Sequence, residues 1–278
     1  MLRTKPLKQI LADAEHPDHR LSRTLTVTDL IALGVGAIIG TGIFVLIGTA
    51  TVGDAVRLGA GPGITLSFLL SGLACVLAAL CYAEFAAMIP VSGSAYTYSY
   101  ATLGEFIAWI TGWNLILEYG VASVAVAIGW SGYFNKLLQI AGIHLPDWAT
   151  HAPGGPEGGI INLPAMVIVL LCTWMLVVGI KESARITTII VVIKLVVIGF
   201  FIAVGADQVD TANWSPFMPN GFAGVGAAAA IVFFAYIGFD AVSTTAEEAR
   251  NPQRDIPIGI IASLGICTLL YLAVAGIL

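Results

Sequence analysis

The feature of this sequence that most constrains its fold is a series of long apolar stretches with almost no charged residue. Crossing the hydrocarbon core of a bilayer, which is ~30 Å thick, takes roughly 20 helical residues. A helix pairs its own backbone N–H and C=O groups, so it can cross lipid without exposing them. The sequence therefore predicts an all-α integral membrane protein, embedded in a lipid bilayer, with seven transmembrane helices: Leu30–Ala50, Pro62–Ala83, Phe106–Asn135, Gly158–Ile180, Ile186–Ala206, Phe222–Ala246 and Ile256–Leu278.

Composition excludes several classes of protein. Only 10% of the residues are charged, whereas an average soluble domain carries about 25%. The net charge of −5 argues against a nucleic-acid partner, because binding to phosphates requires a basic surface. The four cysteines form no CxxC pair, no HExxH motif is present, and the four histidines lie outside the apolar runs. We therefore expect no metal, no cofactor and no enzymatic activity.

The Lys and Arg residues between the runs predict the orientation of the chain. Short cytoplasmic loops carry an excess of these residues. With a cytoplasmic N-terminus, Arg57 and Lys136 face outside, and nine cations face inside: Arg3, Lys5, Lys8, Arg20, Arg23, Lys181, Arg185, Arg250 and Arg254. We therefore expect a multi-pass protein of the cell (plasma) membrane with a cytoplasmic N-terminal segment, residues 1–27.

The first apolar run contains the glycine-rich stretch GVGAIIGTGIF at 34–44. Each glycine weakens a helix by about 1 kcal/mol relative to alanine. One interpretation is close helix packing, since Gly36 and Gly40 form a GxxxG pair. Another is a helix broken at mid-membrane, because Gly40-Thr41-Gly42 lies at the centre of the run. A dinucleotide-binding loop is excluded, because no strand precedes the glycines.

The sixth run has a second irregular stretch, in which Gly238 lies beside Asp240 and three hydroxyl residues follow. The first and sixth helices are five spans apart, and a repeat of five spans inverts its direction in the membrane. Interrupted segments at matching positions of two halves are typical of transporters built from inverted repeats. Free N–H groups at one break attract a carboxylate, and free carbonyls at the other accept hydrogen bonds from an ammonium group. The pair predicts a site for a zwitterion such as an amino acid.

Four ionisable residues fall within the spans or at their edges. Lys194 lies near the middle of the fifth run, where a charge is expensive and usually functional. Its side chain either donates to carbonyls of a neighbouring broken helix or binds the proton that drives transport. Glu118 either fixes helix packing or belongs to the pathway. Asp240 is expected to stabilise the broken sixth helix, and Glu84 is either part of an inner gate or a hydrated interfacial acid.

Three stretches resemble the amino acid–polyamine–organocation superfamily of permeases, and within it the bacterial cationic amino acid transporters. They are LTVTDLIALGVGAIIGTGIFVLIG at 25–48, PVSGSAYTYSYATLGEFIAWITGWNLILEY at 90–119 and FFAYIGFDAVSTTAEEARNPQRDIPIGI at 233–260. The resemblance implies a five-plus-five inverted-repeat fold with helices one and six broken at mid-membrane. It implies that backbone N–H groups of Ile39, Gly40, Thr41 and Gly42 hold the substrate carboxylate and that carbonyls of Phe234, Ala235 and Ile237 hold its ammonium group. It also implies proton coupling through Lys194.

The resemblance divides the chain into a first five-helix repeat, 28–206, and the first two helices of a second repeat, 207–278. The last run ends without an interfacial residue, so we expect a C-terminally truncated chain that does not transport alone. The predicted function is secondary active transport of amino acids by proton-coupled symport. No acid is clearly placed to pair with a cationic side chain, which favours small or neutral substrates. The alternatives are a receptor-like seven-helix protein, a membrane-embedded enzyme and an inactive fragment.

Overall fold

The computed structural model describes residues 3–14, 21–154, 158–178 and 183–278, and within these ranges the chain forms helices and no β-strand. Arg20 and Lys181, two of the cations assigned to the inside, lie outside the described residues. The α-helices are α1 (Leu7–Ala14), α2 (Val27–Ile38), α3 (Ile47–Val52), α4 (Ile64–Met88), α5 (Ser94–Thr102), α6 (Glu105–Ile140), α7 (Leu163–Val178), α8 (Ser183–Ala206), α9 (Gly221–Val232) and α10 (Pro252–Ile277).

Six helical segments of the described chain are long and apolar enough to cross a bilayer: Val27–Val52, Gly61–Met88, Glu105–Ile140, Thr188–Ala206, Gly221–Glu248 and Pro252–Ile277. They correspond to six of the seven predicted spans. The remaining run, Gly158–Ile180, forms the shorter helix α7 of 16 residues, about 24 Å long at 1.5 Å per residue. Residues 179–182 of this region lie outside the described residues. The all-helical membrane architecture is thus confirmed, whereas the count of seven spans stays a prediction.

Helix α7 begins late for a local reason. The Asn162 side chain accepts a hydrogen bond from the backbone N–H of Ala165 at 3.1 Å, which is the bond of an N-terminal cap. Pro164 lies in the first turn, where its missing N–H costs nothing. The first five residues of the apolar run are therefore loop rather than helix.

The chain folds as two compact units, one formed by Met1–Asn114 with Arg185–Leu278 and the other by Leu115–Ala184. In the smaller unit, Ser131 on α6 is fully buried and donates a hydrogen bond of 2.7 Å to Asn162 Oδ1. The same asparagine therefore caps α7 and joins it to α6. The division into repeats at 206/207 stays a prediction.

The core of the larger unit forms where α10 packs against both α4 and α2, and where α4 packs against α9. Large side chains from these helices are fully buried, among them Leu30, Phe68, Leu264 and Tyr271. Hydroxyl groups join α4 to α9: Ser67 donates to the carbonyl of Val225 at 2.9 Å, and Ser71 donates to that of Ala229 at 2.8 Å. Hydrogen bonds between polar side chains and helix backbones are a common way of fixing helix packing where lipid surrounds a bundle.

Helix α4 has large apolar side chains on its exposed side and small residues on its buried side. Leu69, Leu73, Leu77 and Leu80 recur every three or four residues and are exposed, Leu77 by 61%. The opposite side of the same helix buries the smaller residues Ser71, Gly72, Cys75 and Ala79. Large leucines outside and small residues inside are the reverse of a water-soluble helix and suit a helix surrounded by lipid.

The N-terminal segment contains a helix that the sequence did not predict. Ile10 is the buried residue of α1, and Lys5 pairs with Asp13 across the helix at 2.6 Å. The backbone N–H of Lys5 donates to the carbonyl of Tyr100 at 3.3 Å, and that of Glu105 donates to the carbonyl of Arg3 at 3.1 Å. The segment before the first span is therefore packed onto the region around α5.

Because Ile10 supplies the buried contact of α1, replacing it should release this helix. Ile10→Ala should favour local opening of residues 3–14 by about 2 kcal/mol, which lowers amide protection roughly 30-fold in hydrogen exchange. Leu7→Ala is the matched control, since Leu7 lies on the same helix and is 42% exposed. Equal protection in the two variants would show that α1 is not held by Ile10.

Candidate site at two helix breaks

The first membrane-spanning segment is interrupted near its middle. Helix α2 ends at Ile38, and Ile39 adopts an extended conformation with φ −74° and ψ 102°. The chain resumes as a π-helical turn, Gly42–Leu46, which leads into α3. The interruption predicted for the first helix is therefore present. The glycines in this stretch allow the backbone to leave the helix where other residues would favour continuing it.

The second interruption follows α9. A 3₁₀ turn, Phe233–Tyr236, ends at Ile237, which is extended with ψ 136°. Gly238 then has φ 110°, a conformation that favours glycine, and the 3₁₀ segment Phe239–Glu248 follows. A Cβ at Gly238 would lie 2.9 Å from the carbonyl oxygen of Ala37, so the break also needs glycine because it packs against the end of α2.

The two breaks lie in direct contact. A Cβ at Gly42 would lie 2.2 Å from the Cα of Ala235, closer than packed carbon atoms approach. Gly36 packs in the same way on α8, where an added Cβ would lie 2.8 Å from Val191 Cγ2. Close packing and a broken helix, the two interpretations of the glycine-rich stretch, therefore both apply. The structure brings together the two groups of residues predicted to bind substrate.

Lys194 donates hydrogen bonds to the carbonyl end of α2. Its Nζ lies 2.6 Å from the oxygen of Gly36 and 2.8 Å from that of Ile39. The last carbonyls of a helix have no partner within it and carry the negative end of its dipole, so an ammonium group suits this position. The structure thus shows the contact with a broken helix that was one of the two interpretations of Lys194.

Tyr271 is the site residue that sequence reasoning missed. Its hydroxyl lies 3.1 Å from the carbonyl oxygen of Ile38 and 2.9 Å from that of Ala235, so its one proton is shared between the two breaks. Phe68 and Tyr236 pack around it, with ring centroids 5.4 Å and 5.3 Å away. The available signal was a tyrosine within an apolar run, because a buried phenol usually has a hydrogen-bond partner.

Some of the backbone groups predicted to bind substrate already have partners within the protein. The N–H of Ile39 donates to the carbonyl of Val35 at 3.1 Å, so it belongs to the end of α2. The N–H groups that open the second half of the helix are those of Thr41 and Gly42, which have no earlier turn to donate to. The carbonyl of Ala235 accepts from Tyr271 and keeps one lone pair for another donor.

Of the three acids predicted in or near the membrane, one lies beside a break and two lie on other helices. Asp240 is buried, and Ser94 of α5 donates to its Oδ2 at 3.4 Å; it lies in the first turn after Gly238, where a carboxylate is favourable. Glu84 is exposed on α4. Glu118 lies half-buried on α6 in the smaller unit. Among these acids, Asp240 is the one placed next to a break.

Comparison with known proteins gives the family. A sequence profile described as "Amino acid permease" matches residues 25–277. The chain belongs to the amino acid permease family. The resemblance to the amino acid–polyamine–organocation superfamily is thereby confirmed, and the family is one of permeases rather than enzymes.

Members of the family with similar sequences carry transporter names. The chain is 54% identical to the branched-chain amino acid permease BcaP of Bacillus subtilis (strain 168), over 100% of this chain and 59% of that protein. It is 51% identical to the methylthioribose transporter of the same organism, again over 100% and 59%. It is 43% identical to the chloroplastic cationic amino acid transporter 9 of Arabidopsis thaliana, over 93% and 45%. The chain thus spans about three-fifths of the bacterial relatives' length.

The contact between the breaks predicts a sharp difference between two glycines of the same span. Gly42→Ala must push its new methyl group against Ala235, and overpacking of this kind costs about 1–3 kcal/mol. Gly48→Ala meets nothing within 4 Å and should be neutral or slightly stabilising, because alanine favours helix. Thermal unfolding of the purified protein measures both, and a Tm for Gly42→Ala equal to that of Gly48→Ala would contradict the contact.

Proposed function

We propose that the protein carries amino acids across the cell membrane as a secondary active transporter. The observation that carries this proposal is the contact between two interrupted helices, at Gly42 and Ala235. It places backbone N–H groups and carbonyls of opposite polarity side by side within spans of 26 and 28 residues. The names of two relatives, a branched-chain amino acid permease and a cationic amino acid transporter, support the same class of substrate.

In this proposal the backbone recognises the parts common to all amino acids. The N–H groups of Thr41 and Gly42 hold the carboxylate, aided by the positive end of the dipole of the second half-helix. The carbonyls of Phe234 and Ile237, with the remaining lone pair of Ala235, hold the ammonium group. The side chain of the substrate then contacts apolar surface, which favours a neutral amino acid, in agreement with the name of the 54% identical relative.

The proposal also includes the arrangement of the helices and the orientation of the chain in the membrane. We place the chain in a five-plus-five inverted-repeat fold, with α7 in the fourth span and the N-terminus in the cytoplasm. The excess of Lys and Arg in the loops assigned to the inside supports this orientation. On the side assigned to the cytoplasm, the residue before α2 and the residue after the segment Phe239–Glu248 are also joined. The backbone N–H of Arg250 donates to the carbonyl of Leu25 at 3.0 Å.

Proton coupling is proposed to act through Lys194. Hydrogen bonds from a charged donor are roughly twice as strong as those between neutral groups. A protonated Lys194 therefore holds the carbonyls of Gly36 and Ile39 firmly, and a neutral one holds them weakly. Gain or loss of this proton would shift the balance between two positions of the half-helix that ends at the break, which is how a proton gradient could do work on the site.

Replacing Lys194 should separate proton coupling from substrate binding. In proteoliposomes of the full-length protein, Lys194→Met should abolish the several-fold stimulation of uptake by an inward pH gradient while exchange of labelled for unlabelled substrate persists. Lys136→Met removes an exposed lysine and should leave the stimulation intact. Full stimulation by the gradient in Lys194→Met would refute the coupling role, and failure of all proteins to exchange any amino acid would refute the proposed function.

A further inference from the structure

An apolar groove runs along the half-helices on the side of the breaks assigned to the outside. It has a volume of about 530 Å³ and is lined by Leu46, Arg57, Ala227, Ala230, Ile231 and Phe234. Small-molecule sites usually have volumes of about 300–1,000 Å³. Leu46 closes the π-helical turn after the first break, and Phe234 lies in the 3₁₀ turn before the second. The groove thus begins next to the breaks and has one charged group, at Arg57.

A tight turn fixes the position of Arg57. The Oδ1 atom of Asp54 accepts hydrogen bonds of 2.8 Å from the backbone N–H groups of Val56 and Arg57. The N–H of Asp54 donates back to the carbonyl of Arg57 at 3.0 Å. The two N–H groups hold the pKa of Asp54 below its ordinary value, with a smaller contribution from the Arg57 charge. The carboxylate therefore stays ionised at neutral pH and keeps the turn closed.

A second set of bonds ties this turn to the other wall of the groove. The side chain of Asn220, just before α9, donates to the carbonyl of Gly59 at 2.9 Å. On the near side, the N–H of Ala60 donates to the carbonyl of Ala50 in α3 at 3.0 Å. The turn that carries Arg57 is thus tied to α3 and to the start of α9, and Ala227, Ala230 and Ile231 of α9 line the groove.

We propose that this groove is an outer binding position for an α-amino acid with an apolar side chain. Arg57 pairs with the carboxylate, since a guanidinium group offers paired donors that match a carboxylate. The substrate side chain lies on Leu46, Ile231 and Phe234. In the part of the chain that the structure describes, Arg57 forms no ion pair. The inference rests on the proposed function and adds to it a place where substrate waits before the breaks.

The two positions share Phe234, but the carboxylate occupies a different place in each. Leu46 and the end of α3 at Val52 are six residues apart, which is about 9 Å along a helix, and Arg57 follows in the next turn. A carboxylate would therefore move from the guanidinium to the N–H groups near Gly42, with apolar wall between them. Cationic substrates are disfavoured here, because the lining residues include Arg57 and no acid.

The test is the rate at which leucine binds to the full-length protein in nanodiscs, measured by stopped-flow fluorescence at low salt. Leucine carries no net charge, so Arg57 acts on it by pairing with its carboxylate, and loss of this charge-assisted pair should lower occupancy of the outer position about tenfold. Arg57→Gln should therefore slow leucine association about tenfold and should speed the association of arginine. Arg57→Lys keeps the charge and should retain most of the rate, which guards against loss of the fold.

Lys136→Gln is the matched control, since Lys136 is the other cation assigned to the outside and is exposed. Its leucine association should equal that of the unaltered protein. The outer position is overturned if Arg57→Gln and Lys136→Gln bind leucine at the same rate, or if Arg57→Gln slows arginine as much as leucine. If the unaltered protein binds no amino acid at all, the proposed function fails, and the outer position fails with it.

Discussion

The rest of this fold depends on hydrogen-bond partners for the backbone groups that two broken helices leave without a partner in the helix. In lipid each such group costs several kcal/mol if it finds no partner. Here Lys194 donates to the carbonyls of Gly36 and Ile39 at the end of α2, and Tyr271 shares its one hydroxyl proton between the carbonyls of Ile38 and Ala235. The carbonyls at both breaks therefore have hydrogen-bond donors within the protein, supplied by two long polar side chains, one from α8 and one from α10.

The pairing of backbone groups at the breaks also explains why a binding site can form there. The protein satisfies the carbonyl end of the first break, whereas the N–H groups that open its second half have no earlier helical turn to donate to. A substrate carboxylate would supply the missing acceptor. The half-helices are joined in pairs away from the breaks: Leu25 N–H donates to Glu248 O at 3.0 Å at one end, and Asn220 donates to Gly59 O at the other. The breaks thus lie between two pairs of half-helices that are each joined by hydrogen bonds.

Most of the membrane architecture could be predicted from the sequence, because apolar length and charge are read directly from the residues. The breaks could be predicted because glycines cluster at the centre of one apolar run and lie beside an acid in the other. Lys194 contacts carbonyls of the broken first helix, which is one of the two alternatives that the sequence leaves open, and its role in proton coupling stays a prediction. Tyr271 was missed because its partners are 36 and 233 residues away in the sequence. The late start of α7 could have been predicted, because Asn162 followed by Pro164 is a local signal for the start of a helix. The docking of α1 was missed because Ile10 acts through contacts that no local pattern specifies.

The central claim is that backbone groups at the breaks recognise both charged ends of an amino acid. Its most direct test is competition for the binding of labelled leucine to the full-length protein by analogues that each lack one charge. Leucinamide lacks the carboxylate, and N-acetyl-leucine lacks the ammonium group. The account predicts that unlabelled leucine displaces the label and that both analogues are at least 100-fold weaker, because each leaves buried polar groups unpaired. Displacement by either analogue as effectively as by leucine would contradict it.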